Sequence, residues 1–154
     1  MNIHSAELND IDELAVLFDG YRVFYDQPSD LALAKSFLNE RIEKQQSIIF
    51  LARNDQQKAV GFVQLYPIFS SVSAKQSLLL NDLFVDESAR GTGAGKALMN
   101  AAKDYAKETQ ACWIMLQTHI SNKTAQGLYE SLGRVDLCCT FLQRSVCCLD
   151  KANG

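Results

Sequence analysis

Residues 90 to 96 read Arg90-Gly91-Thr92-Gly93-Ala94-Gly95-Lys96, a glycine-rich loop that follows the apolar run from Leu78 to Val85 and precedes an amphipathic helix pattern. Three glycines within five positions let the backbone come close to an oxyanion, and the N–H groups that open a helix point donors at it. The flanking Arg and Lys add positive charge. The loop therefore predicts a site that holds a phosphate group.

Two other phosphate-binding loops need a different spacing. A Walker A loop has four residues between its first glycine and a Gly-Lys pair, followed by Ser or Thr. Here three residues separate Gly91 from Gly95, and Ala97 stands where the hydroxyl is required. A dinucleotide-binding loop that began at Gly91 would need glycine at position 96 and a strand leading straight into it. Position 96 is Lys96 and residues 86–89 intervene, so the sequence fits neither loop.

The spacing that remains is Arg/Gln-x-x-Gly-x-Gly/Ala, with Arg90, Gly93 and Gly95 at the fixed positions. This pattern resembles the pyrophosphate loop of the GCN5-related N-acetyltransferase (GNAT) superfamily. An ordinary glycine-rich turn is the alternative interpretation. The strand pattern before the loop and the helix pattern after it favour the functional interpretation.

A second motif follows, on a helix predicted over residues 123–131. It reads Asn-x-x-Ala-x-x-Leu-Tyr-x-x-x-Gly and consists of Asn122, Ala125, Leu128, Tyr129 and Gly133. It too is similar to the GNAT superfamily, in which such a helix flanks the pantetheine arm and the tyrosine hydroxyl faces the coenzyme sulfur. A tyrosine at helical spacing from leucines is otherwise more often a core residue.

The resemblance implies that acetyl-CoA is the co-substrate and that its acetyl group passes directly to an amine. The pyrophosphate would lie on the loop N–H groups, and the pantetheine would pair with the strand that ends at Val85 as an added strand does. Tyr129 would protonate the departing thiolate, and Asn122 would orient the coenzyme. The implied coenzyme-binding residues are Leu83, Phe84, Val85, Arg90, Gly91, Thr92, Gly93, Ala94, Gly95, Lys96, Asn122, Ala125 and Tyr129.

The residues at the expected position of the general base differ from those of some relatives, which carry glutamate at a position corresponding to Leu79 or Asn81. Strand alternation places Leu79, Asn81 and Leu83 on one face and Asp82 and Phe84 on the other. Three interpretations stay open: a water held by Asn81 relays the amine proton, Asp82 reaches the amine across a bulge, or the acceptor arrives neutral. A surface carboxylate or a partner of a helix end is an equally good interpretation of Asp82.

The acceptor is less well marked. In related folds the turn between the first two helices walls the acceptor channel, and aromatic rings beside an acid suit a cationic amine. We expect a small amine or polyamine, while a protein lysine, an aminoglycoside or a non-catalytic acyl-CoA sensor stay open. The candidate substrate-binding residues are Tyr21, Phe24, Tyr25, Asp26 and Phe69.

Length and composition predict one domain over residues 1–154, because 154 residues with 47% hydrophobic content can bury a single core. A net charge of −3 disfavours a nucleic-acid partner. The first residues lack the pattern of a signal peptide and no apolar run approaches the roughly 20 residues of a membrane span, so we expect a cytoplasmic protein without a membrane partner.

Five cysteines and two histidines show no zinc-ligand spacing, so we expect no metal and free thiols. Four of the cysteines lie in the tail after Gly133, whose arrangement the sequence leaves open. Since relatives often pair through this part of the sheet, we expect a possible homodimer.

Periodicity predicts the element order β-α-α-β-β-β-α-β-α-β and leaves a further strand open. Asn9 or Asp10 is expected to cap the first helix, Ser29 the second, and Gly133 to end the last. The predicted class is α/β (α+β): a mixed, mostly antiparallel central sheet of six to seven strands flanked by four helices, the GNAT-like fold.

Overall fold

The computed structural model describes residues 1–119, 121–132, 135–140 and 144–150, and the side chains of residues 1–118 and 121–132. Four α-helices and seven strands lie along these residues. They are β1 Asn2–Ser5, α1 Ile11–Phe24, α2 Leu31–Glu43, β2 Ile48–Arg53, β3 Ala59–Ser70, β4 Lys75–Val85, α3 Ala94–Glu108, β5 Trp113–His119, α4 Lys123–Glu130, β6 Val135–Thr140 and β7 Arg144–Asp150. The α/β class and the four helices are confirmed.

The strands form a mixed sheet in the order β1-β2-β3-β4-β5-β7-β6. Strand β5 pairs with β4 in parallel, and the other neighbours pair antiparallel. The parallel pairing follows from the chain path, because α3 crosses over between β4 and β5. A mixed, mostly antiparallel sheet is therefore confirmed.

Two hydrophobic cores lie on opposite faces of the sheet, because successive strand side chains alternate between the faces. One core packs α1 and α2 against residues such as Leu51 and Phe62. The other packs α3 and α4 against residues such as Val63 and Leu65. The buried positions of α3 repeat at helical spacing: Ala94, Leu98, Met99, Ala102 and Ala106.

A bulge in β4 changes the predicted alternation. Opposite β3 the register shifts between Gln64 and Leu65, which pair with Asp82 and Leu80, so that Asn81 has no partner across the ladder. One extra residue flips every following side chain to the other face. The expectation that Leu79, Asn81 and Leu83 share one face is therefore wrong.

The faces of β4 follow from its partners. Leu83 and Val85 pack in the same core as Leu78 and Leu80, although their numbers differ in parity. Leu79 pairs with Tyr66, which is two residues from Gln64, the partner of Asp82. Leu79 therefore lies on the face of Asp82, and the predicted common face of Asp82 and Phe84 is retained.

Beyond this bulge β4 and β5 diverge. Their described ladder consists of Leu78, Leu79 and Leu80 paired with Ile114, Met115 and Leu116. Strand β4 nevertheless continues to Val85 and β5 to His119. The result is an opening in the sheet between the carboxyl ends of the two strands.

The helix caps differ in part from the expectation. Asp30, not Ser29, caps α2: its carboxylate accepts a hydrogen bond from the Leu33 N–H at 2.9 Å. The Ser29 hydroxyl instead donates to Asp19 at 2.6 Å, which ties the α1–α2 turn to α1. Asp10 precedes α1, but its side chain makes no cap hydrogen bond to that helix. Gly133 lies outside the described residues.

No helix among the described residues is both long and apolar enough to cross a membrane. Cys112, at the start of β5, is a free thiol 3.0 Å from the Ser77 hydroxyl, as the prediction of free cysteines requires. The side chains of Cys138, Cys139, Cys147 and Cys148 lie outside the described side chains.

Candidate functional site

A cavity of about 500 Å³ runs through the opening between β4 and β5. Its walls come from both faces of the sheet, since Leu83 and Tyr129 belong to one core and Tyr21 and Phe84 to the other. A molecule in the cavity can therefore be reached from both faces. The cavity is also lined by Phe24, Tyr25, Asn81, Val85, Arg90, Gly91, Gly93, Gly95, Lys96, Asn122, Ala125 and Leu128.

The glycine-rich loop forms one end of the cavity. Gly91 and Gly93 have φ angles of +80° and +91°, in the left-handed region that L side chains rarely adopt. A Cβ atom built on either glycine would meet nothing within 4 Å, so the space over the loop is open. The first intrahelical hydrogen bond of α3 joins the Ala97 N–H to the Gly93 carbonyl. The N–H groups of residues 94–96 precede it and have no acceptor within the helix.

The basic residues of the loop lie at the cavity, while its threonine does not. Arg90 lines the cavity, donates to the Val85 carbonyl at 3.3 Å and pairs with Glu87 at 3.2 Å. Lys96 also lines the cavity. The Thr92 hydroxyl turns back onto the Ala89 carbonyl at 2.7 Å. Of the predicted coenzyme residues, Thr92 and Ala94 are absent from the described lining.

Helix α4 closes the side of the cavity next to the loop. Close packing sets its position, because a Cβ atom on Gly95 would lie 3.2 Å from Leu128 Cδ2. Lys103 of α3 also donates to the Leu132 carbonyl at 2.7 Å, just after α4 ends. Asn122 caps the helix, since its side-chain oxygen accepts from the Ala125 N–H at 3.0 Å. This cap use of the oxygen differs from the predicted role of Asn122 as a coenzyme contact.

Tyr129 is both a core residue and a cavity residue. Its side chain is 5% exposed and packs in the core on the α3 face, yet it lines the cavity. The core position expected from its helical spacing and the site position implied by the resemblance are thus compatible.

Aromatic rings form the opposite wall. Tyr21, Phe24 and Tyr25, at the end of α1, line the cavity together with Phe84 of β4. Their ring centroids lie 5.0 Å apart for Tyr21 and Tyr25, and 6.3 Å for Tyr21 and Phe84, in edge-to-face arrangements. This wall joins the predicted acceptor residues to the strand that forms the opening.

Asp82 lies behind this wall. The residue is 5% exposed and absent from the described lining, and its carboxylate accepts a hydrogen bond from Asn81 Nδ2 at 3.0 Å. Tyr21 also hydrogen-bonds to it. Burial raises the pKa of Asp82, and these two hydrogen bonds oppose the rise.

The neighbouring phenols respond to the same carboxyl. Burial raises the pKa of Tyr21, and the charge of Asp82 and its hydrogen bond raise it further. Burial and then the charge of Asp82 raise the pKa of Tyr66 to about 12. Both phenols are therefore protonated at neutral pH.

Two predicted acceptor residues do not reach the cavity. Phe69 is 80% exposed on the β3–β4 hairpin, away from the described lining. Asp26 lies in the turn after α1 with a φ angle of 60° and is also absent from the lining.

Sequence reasoning missed several lining residues of the cavity. Their signal would have been the end of the parallel pairing between β4 and β5, which periodicity alone does not show. They are Leu80, Ala89, Gln117, Thr118 and Thr124.

Among the described residues, no group of three His, Cys, Asp or Glu side chains is placed to hold a metal ion.

Comparison with known proteins gives a consistent picture. A model described as the acetyltransferase (GNAT) family matches residues 11–133. The chain is 48% identical over 133 residues to an uncharacterized N-acetyltransferase, YhfO, of Bacillus subtilis (strain 168), which covers 86% of this chain and 89% of that protein. It is 36% identical to a probable acetyltransferase of Haemophilus influenzae, over 72% of this chain and 76% of that protein. A crystal structure of a probable acetyltransferase superposes with a TM-score of 0.86 at 39% identity, over 92% of this chain and 96% of that chain.

Proposed function

Because the chain belongs to the acetyltransferase (GNAT) family, we propose that its acceptor is a small primary amine or a polyamine, which attacks the acetyl group of acetyl-CoA directly. The observation that carries this proposal is the cavity through the sheet, with the glycine-rich loop at one end and an aromatic wall at the other. A diphosphate-bearing thioester and an amine can meet there from opposite faces.

The loop has the properties that a diphosphate requires. The N–H groups at the start of α3 have no acceptor within the helix and supply donors, and the open space over Gly91 and Gly93 admits phosphate oxygens. Arg90 and Lys96 supply positive charge beside them. We assign the pantetheine arm to the main-chain groups of Leu83 and Val85, which face the cavity past the end of the β4–β5 ladder.

Acetyl-CoA supplies the acetyl group as a thioester, and the chain supplies the groups around the reacting atoms. Main-chain N–H groups near the end of β4 stabilise negative charge that develops on the carbonyl oxygen. Tyr129 reaches the cavity from the α4 side and donates a proton to the departing thiolate. Its burial in the core fixes the position of the phenol.

The aromatic wall favours a cationic acceptor. Ammonium groups are attracted to aromatic faces by about 0.5–2 kcal/mol, more when water is excluded. The basic residues of the described lining, Arg90 and Lys96, lie at the loop end rather than at this wall. A substrate with a second positive charge therefore meets aromatic rings at this wall, and no basic side chain of the described lining.

A thiol-release screen tests the acceptor class. Polyamines, aminoglycosides, amino acids and lysine peptides are each supplied with acetyl-CoA, and release of coenzyme A is followed. Fastest turnover with the small amines and polyamines supports the proposal, whereas turnover confined to lysine peptides or aminoglycosides contradicts the acceptor class.

A thermal-shift measurement tests the coenzyme separately from the acceptor. A ligand at a hundredfold excess over its dissociation constant stabilises the fold by about 2.7 kcal/mol. An absent shift with acetyl-CoA contradicts the assignment of the cavity, while a shift without turnover on any amine indicates a coenzyme-binding sensor. The cytoplasmic location, the homodimer and the absence of nucleic-acid and membrane partners stay predictions.

A further inference from the structure

The carboxyl group best placed to accept the amine proton has no surface on the cavity. Asp82 follows the bulge at Asn81, is 5% exposed and is absent from the described lining. Tyr21 lines the cavity and hydrogen-bonds to this carboxyl. An amine that enters along the aromatic wall therefore meets the phenol before it can meet the acid.

We propose that Tyr21 and Asp82 together form the general base, with the Tyr21 hydroxyl relaying the proton of the acceptor ammonium to the buried carboxylate. This inference rests on the proposed function, because it concerns the deprotonation of the same acceptor. In this proposal Tyr21 is a catalytic residue and does not only line the cavity.

The relay conserves atoms and charge. The ammonium N–H bond breaks and its proton bonds to the Tyr21 oxygen, while the original phenol proton moves to a carboxylate oxygen of Asp82. The products are a neutral amine, an unchanged phenol and a carboxylic acid. After the transfer the acid returns its proton to water by the same path.

A second buried group is arranged for the protonated carboxyl. Gln64 lies directly opposite Asp82 in the β3–β4 ladder and is fully buried. Its Nε2 donates to the Ser47 hydroxyl at 2.8 Å, while its Oε1 has no partner among the described residues. An unpaired buried acceptor costs about 1–3 kcal/mol. Because Gln64 and Asp82 are cross-strand partners, we assign a protonated Asp82 as the donor to this oxygen.

The charged and titratable groups around the pair are consistent with a single site of proton exchange. Tyr66 of β3 and Tyr25 of α1 contribute phenols, as does Tyr129 from the other side of the cavity. Arg41 of α2 acts on Tyr66, whose pKa it lowers against the effect of burial. Asp82 is the carboxyl group among these neighbours, and the others are phenols and a guanidinium.

A pH–rate comparison tests the relay. Turnover of the fastest amine of the thiol-release screen is measured from about pH 6 to about pH 10 in wild type, Tyr21→Phe and Asp82→Asn. Near neutral pH both variants are expected to lose about 100-fold in kcat. The loss is expected to shrink as the pH approaches the pKa of the amine, because a neutral amine needs no base. The KM for acetyl-CoA is expected to stay unchanged.

Tyr105→Phe is the matched control for loss of a phenol. Tyr105 lies on α3, packs edge-to-face with Phe50 at 5.9 Å and is absent from the described lining. It should retain the wild-type profile. A Tyr21→Phe variant with wild-type turnover, or with a loss that does not change with pH, overturns the relay. A wild type that acetylates no amine overturns the proposed function as well, so the two failures are distinct.

A measurement on the protein without coenzyme tests the same pair. The titration of the Asp82 carboxyl carbon is followed by NMR in wild type, Tyr21→Phe and Gln64→Leu. Loss of the Tyr21 donor should raise the Asp82 pKa, and loss of the Gln64 acceptor should lower it. Unchanged titration in Gln64→Leu removes Gln64 from this role, and unchanged titration in Tyr21→Phe contradicts the relay even if the variant is inactive.

Discussion

Gly61 of β3 lies so close to the main chain of Phe84 that a Cβ atom on the glycine would be 2.7 Å from the Phe84 carbonyl oxygen. The two strands meet here at the part of β4 that lines the cavity. Any side chain at position 61 must push this backbone aside. The glycine thus permits the close approach of β3 to the cavity-lining part of β4.

Gly61→Ala is expected to destabilise the protein by about 1–3 kcal/mol, the usual cost of overpacking a core. The contact is with backbone, which cannot rotate away as a side chain could. Urea unfolding followed by circular dichroism measures the change.

Gly127→Ala is the control for that substitution. A Cβ atom on this α4 glycine would meet nothing within 4 Å, and alanine favours a helix by about 1 kcal/mol over glycine. This variant should be as stable as wild type or more stable. Equal destabilisation of both variants would contradict the steric explanation.

Arg53→Met is expected to destabilise the protein by about 1.5–3 kcal/mol, the range for hydrogen bonds to charged groups. The Arg53 guanidinium joins the end of β2 to the start of α1, at 2.9 Å from Asp10 and 2.6 Å from Glu13, with its side chain 16% exposed. Methionine retains the apolar stem but removes the guanidinium from both carboxylates, and Asp10 keeps His4 at 3.3 Å and the Glu7 N–H at 3.0 Å. The free energy of unfolding in urea is the measurement.

Lys107→Met provides the comparison for an exposed ion pair. Lys107 contacts Asp104 at 3.3 Å, and both side chains are more than half exposed. Such pairs contribute about 0–1 kcal/mol. A loss as large as that of Arg53→Met would show that burial does not separate the two pairs.

The stability of wild type relative to Asp82→Asn is expected to fall as the pH rises. Burial raises the folded-state pKa of Asp82 above its unfolded value of about 3.9. The protonated group therefore contributes stability below the unfolded pKa, and that contribution is lost as the pH rises through the folded pKa. The free energy of unfolding of both proteins is measured as the pH rises from below the unfolded pKa. The difference between the two proteins removes the contribution of the other carboxyl groups, which they share. A constant difference would contradict the raised pKa.

Gly93→Ala is expected to weaken coenzyme binding. Its φ angle of +91° costs a non-glycine residue about 1–2 kcal/mol, and open space around it leaves backbone strain as the cause. If the loop relaxes, the N–H donors turn away, and acetyl-CoA should bind about tenfold more weakly for each 1.4 kcal/mol lost. Calorimetric titration with acetyl-CoA measures this, with Gly127→Ala as the variant that should bind normally.

Tyr129→Phe is expected to slow turnover by about 10- to 100-fold without abolishing it. A thiolate is a tolerable leaving group, so loss of the proton donor raises the barrier only in part. The KM for acetyl-CoA should change little. Steady-state kinetics on the fastest amine is the measurement, and unchanged turnover would remove Tyr129 from the acid role.

Local sequence patterns determined the element order, the four helices and the glycine-rich loop before α3. These features depend on residues close together in the chain: the spacing of buried positions such as Leu98 and Ala102 in α3, and the backbone freedom of Gly91 and Gly93. The glycine-rich loop and the aromatic residues at the end of α1 could also be predicted from the sequence, because each is a group of residues close together in the chain.

The pairing of the strands in the sheet decided which residues lie together at the cavity. The bulge at Asn81 arises from the register of β4 against β3, and one extra residue moved Leu79 to the face of Asp82. The same pairing took Phe69 away from the cavity and buried Asp82 behind Tyr21. Strand register depends on contacts between residues distant in sequence. Periodicity could therefore give the candidate residues of the site, but not which of their side chains are in contact.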